Sequence, residues 1–256
     1  MIIIGIDYAT DVRKTGLALG SFQNNIIAIE DVKLGSKNEP PVEIILGWLH
    51  RSQLALLALD APLGWPSALG QALSKHSAGR PVEAKAEYLF SRLTDHMVEE
   101  NIGKRPLEVG ANLIARTAYS ALELLQELRE KTGLEIPLAW QPGGIRGTSA
   151  IEVYPAATLT ARNIRATSYK DKGAGKDRVE ILKQLDLYVE KQGSRRKLEE
   201  SPDALDAVIC VVAASDFLLE TCIPVSDMEK AQKEGWIWVQ QPKTKQIKAE
   251  IIRFEV

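Results

Sequence analysis

The chain contains 256 residues, of which 45% are hydrophobic and 26% are charged, as is typical of a globular protein with a full core. The net charge of −2 excludes a global basic field for non-specific nucleic-acid binding, so any polyanion site must be local. Two cysteines exclude a disulfide framework, and the sequence has neither a signal-peptide pattern nor an apolar membrane span. We therefore expect a cytoplasmic protein with no membrane contact.

The N-terminal region predicts three consecutive strands in an antiparallel meander. Residues 2–8 form a short apolar run that contains Asp7 near its end, which is typical of a strand buried on both faces. Residues 16–22 and 25–33 supply the second and third strands, with a hairpin turn near Asn24.

The next segment predicts a helical crossover to a strand that also ends on an acid. Residues 42–51 place apolar side chains at helical spacing, and residues 54–60 form a buried strand that ends at Asp60. A crossover that contains a helix permits parallel pairing between the first and fourth strands. Asp7 and Asp60 would then emerge at the same edge of the sheet.

The middle of the chain is predominantly helical. Residues 67–132 predict a helical insertion, where we expect substrate specificity to lie. A short strand is expected at 136–140, and a further strand at 150–154 contains Glu152. The glycine-rich loop between these two strands contains Arg146.

The C-terminal part predicts two helices and a late edge strand. A basic, glycine-containing segment carries Lys170 and Lys176 and leads into a helix over 176–191, followed by a loop at 193–197. Ser201-Pro202-Asp203 is typical of a helix start, and the helix is expected to reach about Leu219. Residues 235–239 would form the edge strand.

Four aspartates converge in this arrangement. Asp203 and Asp206 are three residues apart on one helix face, which points toward the sheet if the apolar residues of that helix pack there. Carboxylates on a packed face cost free energy unless they are paired or bind a cation. Mg²⁺ and Mn²⁺ prefer oxygen ligands and resolve such repulsion. The pattern thus predicts a metal site from Asp7, Asp60, Asp203 and Asp206 whose carboxylates lie within about 8 Å of one another.

Each candidate residue also has a purely structural interpretation. An acid at a strand end is usually a turn former, and Asp203 alone suits the first turn of a helix. Glu152 fits the exposed face of a strand, and the basic segment around Lys170 fits a solvated loop. Arg92 and Asp95 fit a salt bridge on a helix surface. The combination is more specific than any one of its members.

Several short motifs in order resemble the DUF429 family of predicted nucleases with a ribonuclease H-like fold. They are GIDYA, LALDAPLGWP, EVYPAA, YKDKGAGKDR and SPDALDAVICVVAA, which together span nearly the whole chain. The resemblance implies an α/β fold with a mixed five-stranded sheet, three antiparallel strands first, flanked by helices. It also implies one ribonuclease H-like domain over 1–256, with the helical segment 67–132 inserted after the fourth strand.

The resemblance further implies an acidic metal site from the first strand, the fourth strand and the last long helix. The matching residues are Asp7, Asp60, Glu152, Asp203 and Asp206. Arg92-Leu93-Thr94-Asp95 resembles the Arg-x-(Cys/Thr)-Asp element of the family, which makes Arg92 a substrate-binding candidate. The downstream arginine usual in that element is replaced here, since Val98 and Glu99 occupy the region.

These observations predict a two-metal phosphodiesterase that acts on nucleic acid. Asp7 would bridge two Mg²⁺ or Mn²⁺ ions, Asp60 and Asp206 would each hold one, and Asp203 or Glu152 would complete a shell. Phosphate would be positioned by basic residues, with Lys170, Lys176 and Arg146 as the candidates. The near-neutral charge favours a limited footprint on RNA or DNA, or a structured substrate such as a junction.

Two alternatives remain open from the sequence. Asp7-Tyr8-Ala9-Thr10 also resembles the first phosphate loop of actin-like ATPases and sugar kinases, although a second phosphate loop and an adenosine loop are not evident. The chain could instead use the fold as a non-catalytic binding scaffold, because a fold does not determine chemistry.

Overall fold

A computed structural model describes residues 1–82, 84–110 and 112–242 and has an α/β fold built on a mixed six-stranded sheet. The strand order in the sheet is β5-β4-β1-β2-β3-β6. The strands are β1 (Ile2–Asp7), β2 (Gly16–Gln23), β3 (Ile26–Leu34), β4 (Ala55–Asp60), β5 (Thr148–Glu152) and β6 (Tyr188–Val189).

Ten α-helices occur among the described residues, and none of them is long and apolar enough to cross a membrane. They are α1 (Pro41–Leu49), α2 (Ser67–Leu73), α3 (Ala86–Phe90), α4 (Leu93–Ile102), α5 (Asn112–Thr132), α6 (Pro155–Ala161), α7 (Gly175–Gln184), α8 (Gln192–Glu200), α9 (Pro202–Leu218) and α10 (Met228–Glu234). The helical character expected for 67–132 is confirmed by α2 to α5, while the assignment of this segment as an insertion remains a prediction.

The antiparallel meander and the parallel crossover are both confirmed. β2 pairs antiparallel with β1 and β3, and Asn24 and Asn25 adopt the positive φ angles that a tight hairpin turn requires. β4 lies parallel to β1 in a register that sets Asp60 directly opposite Asp7. The two strand-end acids are therefore adjacent at one edge of the sheet.

The alternation of side chains in β1 divides the interior into two hydrophobic layers. Ile2, Ile4 and Ile6 pack in one layer with residues of α1 and α5. Ile3 points to the opposite layer, which is dominated by α9. Because side chains in a strand alternate with a period of two, Asp7 shares the α9 side of the sheet with Ile3.

Two glycines allow α9 to lie unusually close to the sheet. A Cβ atom at Gly5 would lie 2.0 Å from the carbonyl oxygen of Ala207, and one at Gly16 would lie 1.9 Å from that of Asp203. Gly16 is also the residue that pairs with Asp7 across the β1–β2 ladder. Any side chain at these positions would push the start of α9 away from the strand ends.

The structure corrects three expectations in the C-terminal part. The predicted helix over 176–191 ends at Gln184, since Asp186 adopts a left-handed conformation and the following residues add β6 to the edge of β3. The sheet thus has six strands and not five. The loop expected at 193–197 is part of α8, because Ser194 and Leu198 lie four residues apart and both are buried.

Two expected short strands reduce to isolated bridges. Leu138 bridges to Ala150, next to a positive φ at Ile136 that interrupts extended pairing. In the segment 235–239, Ile237 bridges to Glu152, with the Trp238 N–H donating to the Glu152 carbonyl at 2.9 Å, while the Ile237 N–H donates to the Thr94 hydroxyl at 2.7 Å. Helices α6 and α10 were not expected from the sequence.

The close approach of α9 generates a first prediction. Gly5→Ala should lower the free energy of unfolding by at least about 2 kcal/mol, because the added methyl group meets helix backbone that cannot move aside freely. Urea unfolding followed by circular dichroism measures the effect. Gly47→Ala is the matched control: Gly47 lies in α1 with open space around it, so alanine there should be neutral or stabilising by up to about 1 kcal/mol. Equal stabilities of the two variants would contradict the prediction.

Candidate metal centre

The carboxylates of Asp7, Asp60 and Asp206 meet at the end of the sheet. One oxygen atom from each lies within 4.8 Å of the other two, which is inside the 8 Å limit set by the metal hypothesis. Asp7 and Asp60 are the last residues of two parallel neighbouring strands, and Asp206 lies in α9 across the same face. We call these three residues the carboxylate triad.

Local sequence explains why Asp206 reaches this position. The Ser201 side chain caps α9 by accepting a hydrogen bond from the Ala204 N–H at 3.2 Å, and Pro202 occupies the first turn. The backbone of Asp203 then packs directly against Gly16. Asp206, one turn further along the helix, is fully buried above the ends of β1 and β4.

The triad is electrostatically unfavourable when all its members are ionised. Burial is the largest cause of the raised pKa values of the three carboxyl groups. Repulsion from Asp206 adds to this effect at the other two positions, and the pKa of Asp60 is raised to about 8. A cation bound among these oxygens would remove both penalties.

Lys170 supplies a positive charge to the triad. Its ammonium nitrogen lies 2.5 Å from Oδ2 of Asp206, while the neighbouring Tyr169 hydroxyl donates a hydrogen bond to Oδ1 at 2.7 Å. Tyr169 is buried and its carbonyl accepts from Arg178 at 2.6 Å, whereas the Lys170 side chain is 57% exposed. The tyrosine is thus held in place by two hydrogen bonds, whereas more than half of the lysine side chain is exposed to solvent.

The donor set of the triad fits a hard divalent cation. Three carboxylates offer oxygen ligands from three rigid elements, one oxygen of each lying within 4.8 Å of the other two, so the triad could hold a metal ion. The ammonium group of Lys170, at the edge of the cluster, already neutralises part of the negative charge of the triad. The structure therefore supports a metal-binding triad without identifying the ion.

Glu152 lies in a separate buried network and not in the triad. Its two oxygens accept hydrogen bonds from the Arg92 guanidinium at 2.7 and 2.9 Å, and Oε2 also accepts from the Leu63 N–H at 2.9 Å. Arg92 binds Asp95 on its other side at 2.9 Å. The interpretation of Arg92 and Asp95 as a surface salt bridge is wrong, because both side chains are buried.

Glu234 completes this network and was not predicted from the sequence. It is buried, and its oxygens accept hydrogen bonds from the backbone of Ser67 and of Leu93, each at 2.8 Å. Its carbonyl accepts a further bond from Arg92. The network ties the loop after Asp60 to α4, β5 and α10. No local pattern marks Glu234, which sits in a short polar helix.

The remaining predicted residues lie at or outside the edge of the site. Asp203 is half-buried and outside the triad, although its charge contributes to the raised pKa of Asp7. Lys176 and Arg146 are exposed, the first at the start of α7 and the second before β5, and neither lines the cavity described next. Of the predicted basic residues, Lys170 is the one that the structure brings to the triad.

A cavity of about 490 Å³ opens beside Asp7 and Asp60. Three tyrosines line it, contributed by separate segments of the chain: Tyr8 after β1, Tyr154 after β5 and Tyr169. Residues of the α4–α5 connection and of α5 also line it. The tyrosines were not singled out from the sequence, although Tyr8 and Tyr154 follow directly after strands that carry predicted site residues.

The chain belongs to the DUF429 family. The family model, described as "Protein of unknown function (DUF429)", matches residues 5–230 and so includes all three members of the triad. A search of curated proteins finds no match to the chain.

The raised pKa of Asp60 predicts an unusual dependence of stability on pH. The folded protein keeps this proton up to about pH 8, whereas the unfolded chain releases it near pH 4, so metal-free stability should fall as the pH rises between these values. Asp60→Asn should therefore raise the melting temperature at pH 8 in EDTA by about 3 °C, or about 1 kcal/mol for a chain of this size. The gain should shrink at pH 5.

Asp11→Asn is the matched control for this measurement. Asp11 is partly exposed, and hydrogen bonds from Arg13 lower its pKa to about 2, so its replacement should give no gain at pH 8. Mn²⁺ should raise the melting temperature of the wild type and not that of Asp60→Asn. A wild-type stability that rises from pH 4 to pH 8 without metal would contradict the assigned shift.

The buried network gives a further prediction. Arg92→Ala should destabilise the protein by about 3–5 kcal/mol, because it leaves Glu152 and Asp95 buried without their cation. Arg105→Ala, which removes exposed ion pairs to Glu99 and Glu108, should cost less than about 1 kcal/mol. Denaturant unfolding of both variants tests the contrast, and similar losses would show that the Arg92 network contributes little.

Proposed function

We propose that the protein is a nuclease of the ribonuclease H-like class that hydrolyses phosphodiester bonds of RNA or DNA with Mg²⁺ or Mn²⁺. The observation that carries this proposal is the carboxylate triad, placed on two parallel strand ends and a packed helix beside an open cavity. Carboxylates in that arrangement are suited to oxygen-preferring divalent ions and leave one side of the site accessible to a substrate.

The arrangement of the sheet supports the ribonuclease H-like assignment. Three antiparallel strands come first, a parallel crossover follows, and acids stand on β1, β4 and α9, as the resemblance to that fold implies. The two-residue strand β6 is an addition at the far edge, next to β3 and away from the triad. It leaves the proposed site unchanged.

The roles of the acids follow from their positions. Asp7, at the centre of the sheet between β4 and β2, would hold the ion together with Asp60 and Asp206. When bound, a divalent ion supplies Lewis acidity and lowers the pKa of a bound water. Asp203, half-buried one helical turn away, is the group available to complete a second ion site. Glu152 forms an ion pair with Arg92, and we do not propose it as a metal ligand.

Lys170 would exchange its ion pair with Asp206 for a contact with a phosphate group of the substrate. Lys170 neutralises Asp206, and a bound divalent cation would supply positive charge to the same carboxylate. The Lys170 side chain, which is 57% exposed and lines the cavity, would then be available to contact a phosphate of the substrate. Tyr169, whose carbonyl accepts a hydrogen bond from Arg178, would keep its own hydrogen bond to Asp206.

The proposal is tested by cleavage assays with labelled RNA, DNA and hybrid substrates in Mn²⁺ or Mg²⁺. The rate of cleavage by Asp7→Asn should be more than about a hundredfold lower than that of the wild type. Replacing even a residue that only orients a metal ligand typically lowers metal affinity or activity by about 10–100-fold. Asp177→Asn, an exposed acid on α7, should cleave like the wild type.

Three outcomes would overturn the proposal. Equal cleavage by wild type and Asp7→Asn would identify the activity as a contaminant. Release of phosphate from ATP without nucleic-acid cleavage would favour the phosphotransferase alternative. Calorimetry that detects no Mg²⁺ or Mn²⁺ binding to the wild type would favour a non-catalytic scaffold.

A further inference from the structure

We infer that the cavity beside the triad holds the base of an unpaired nucleotide, so that the substrate is a single-stranded end or loop and not a continuous duplex. This inference rests on the proposed function, because the phosphate of the same nucleotide would face the triad. It adds the class of substrate, which the triad by itself does not specify.

The size of the cavity suits a single nucleotide. Its volume of about 490 Å³ lies within the range of about 300–1,000 Å³ that is usual for small-ligand pockets. Asp7 and Asp60 belong to its wall, so a molecule inside it is in direct reach of the proposed metal site. A base inside a duplex is stacked on both faces and must leave the stack before it can enter a pocket of this kind.

The walls offer the groups that recognise a base without reading its sequence. Tyr8 and Tyr154, which are partly exposed, provide aromatic surface in the cavity, whereas Tyr169 is buried and contributes through its hydrogen bond to Asp206. Aromatic stacking accepts every base, since each has a π-face, and it is the common way in which proteins hold single strands. Leu107 and Ile114 supply further apolar surface to the cavity.

Two lysines line the cavity. Lys170 lies at the triad, and Lys104 lines the wall in the connection between α4 and α5. Lys104 forms no ion pair with any other residue that the structure describes, whereas Arg92 is already occupied by Glu152 and Asp95. Two lysines beside a small apolar cavity fit a nucleotide better than a long duplex track, which needs many phosphate contacts.

Leu107 is a further sign that the rim meets a ligand. Its side chain is 69% exposed although it lines the cavity, and it lies in the connection between α4 and α5. An exposed leucine at the mouth of a pocket gains from contact with the face of a base.

The test places a large side chain in the cavity and leaves the three residues of the triad unchanged. Ile114→Trp should block the pocket, and Leu113→Trp is the matched control, because Leu113 is the preceding residue of α5, is 70% exposed and does not line the cavity. Leu107→Asp is a second pocket variant on an exposed side chain, where folding is not at risk. Adenosine and uridine 5′-monophosphate with Mg²⁺ are the probes, and calorimetry is the measurement.

The wild type and Leu113→Trp should bind both nucleotides with similar affinity, and Ile114→Trp should bind them at least about tenfold more weakly. All three should retain Mn²⁺ binding. In cleavage assays the wild type should prefer a single-stranded oligonucleotide over the same sequence in a blunt duplex by at least about tenfold, and Ile114→Trp should lose most of the single-strand activity.

The outcomes separate this inference from the proposed nuclease activity. Nucleotide binding that is lost in Ile114→Trp and weakened in Leu107→Asp supports the pocket. Absence of binding to the wild type, or equal binding by Ile114→Trp and Leu113→Trp, overturns it even if the enzyme cleaves nucleic acid. Equal cleavage of single strand and duplex also overturns it. Failure of the nuclease proposal would be seen separately, as cleavage that does not depend on Asp7.

Discussion

Mutual repulsion among three carboxylates is the constraint on which this structure depends. One oxygen of each of Asp7, Asp60 and Asp206 lies within 4.8 Å of the other two. Burial raises the pKa of all three carboxyl groups, and repulsion from Asp206 raises those of Asp7 and Asp60 further. A fold optimised for stability alone would replace such a cluster with apolar or amide side chains. Keeping it is consistent with a site that is completed by a cation, with Lys170 as the partial substitute in its absence.

The surrounding elements maintain this unfavourable arrangement from two directions. Gly5 and Gly16 let α9 sit against β1 and β2, which brings Asp206 down onto the strand ends. On the other side, Arg92 and Glu234 hold the loop that follows Asp60 through hydrogen bonds to Glu152 and to backbone N–H groups. Close packing and a buried ionic network thus oppose the repulsion that would otherwise separate the acids.

The parts of the site that could be predicted share a simple local signature. Asp7 and Asp60 end short apolar runs, and Asp206 interrupts an apolar helix, so each is conspicuous against its neighbours in sequence. Glu152 was equally conspicuous, but its role differs, because Arg92 lies sixty positions away in sequence and contacts it only in the folded chain. Glu234 carries no local signal and is recognised by its contacts alone. The three tyrosines lie in motifs that resemble the family, but only the structure shows that they share one cavity.

The sequence by itself determined the strand meander, the possibility of a parallel crossover and a set of five acids that contains the triad, because periodicity and strand-end positions are properties of neighbouring residues. The tertiary structure separated Asp203 and Glu152 from the other three. The tertiary structure alone decided which charges neutralise which. Arg92 is committed to Glu152 and Asp95, Lys170 is committed to Asp206, and Lys176 and Arg146 stay outside. Ion pairing depends on distances between residues far apart in the chain, and burial sets its strength. Both quantities exist only once the chain has folded.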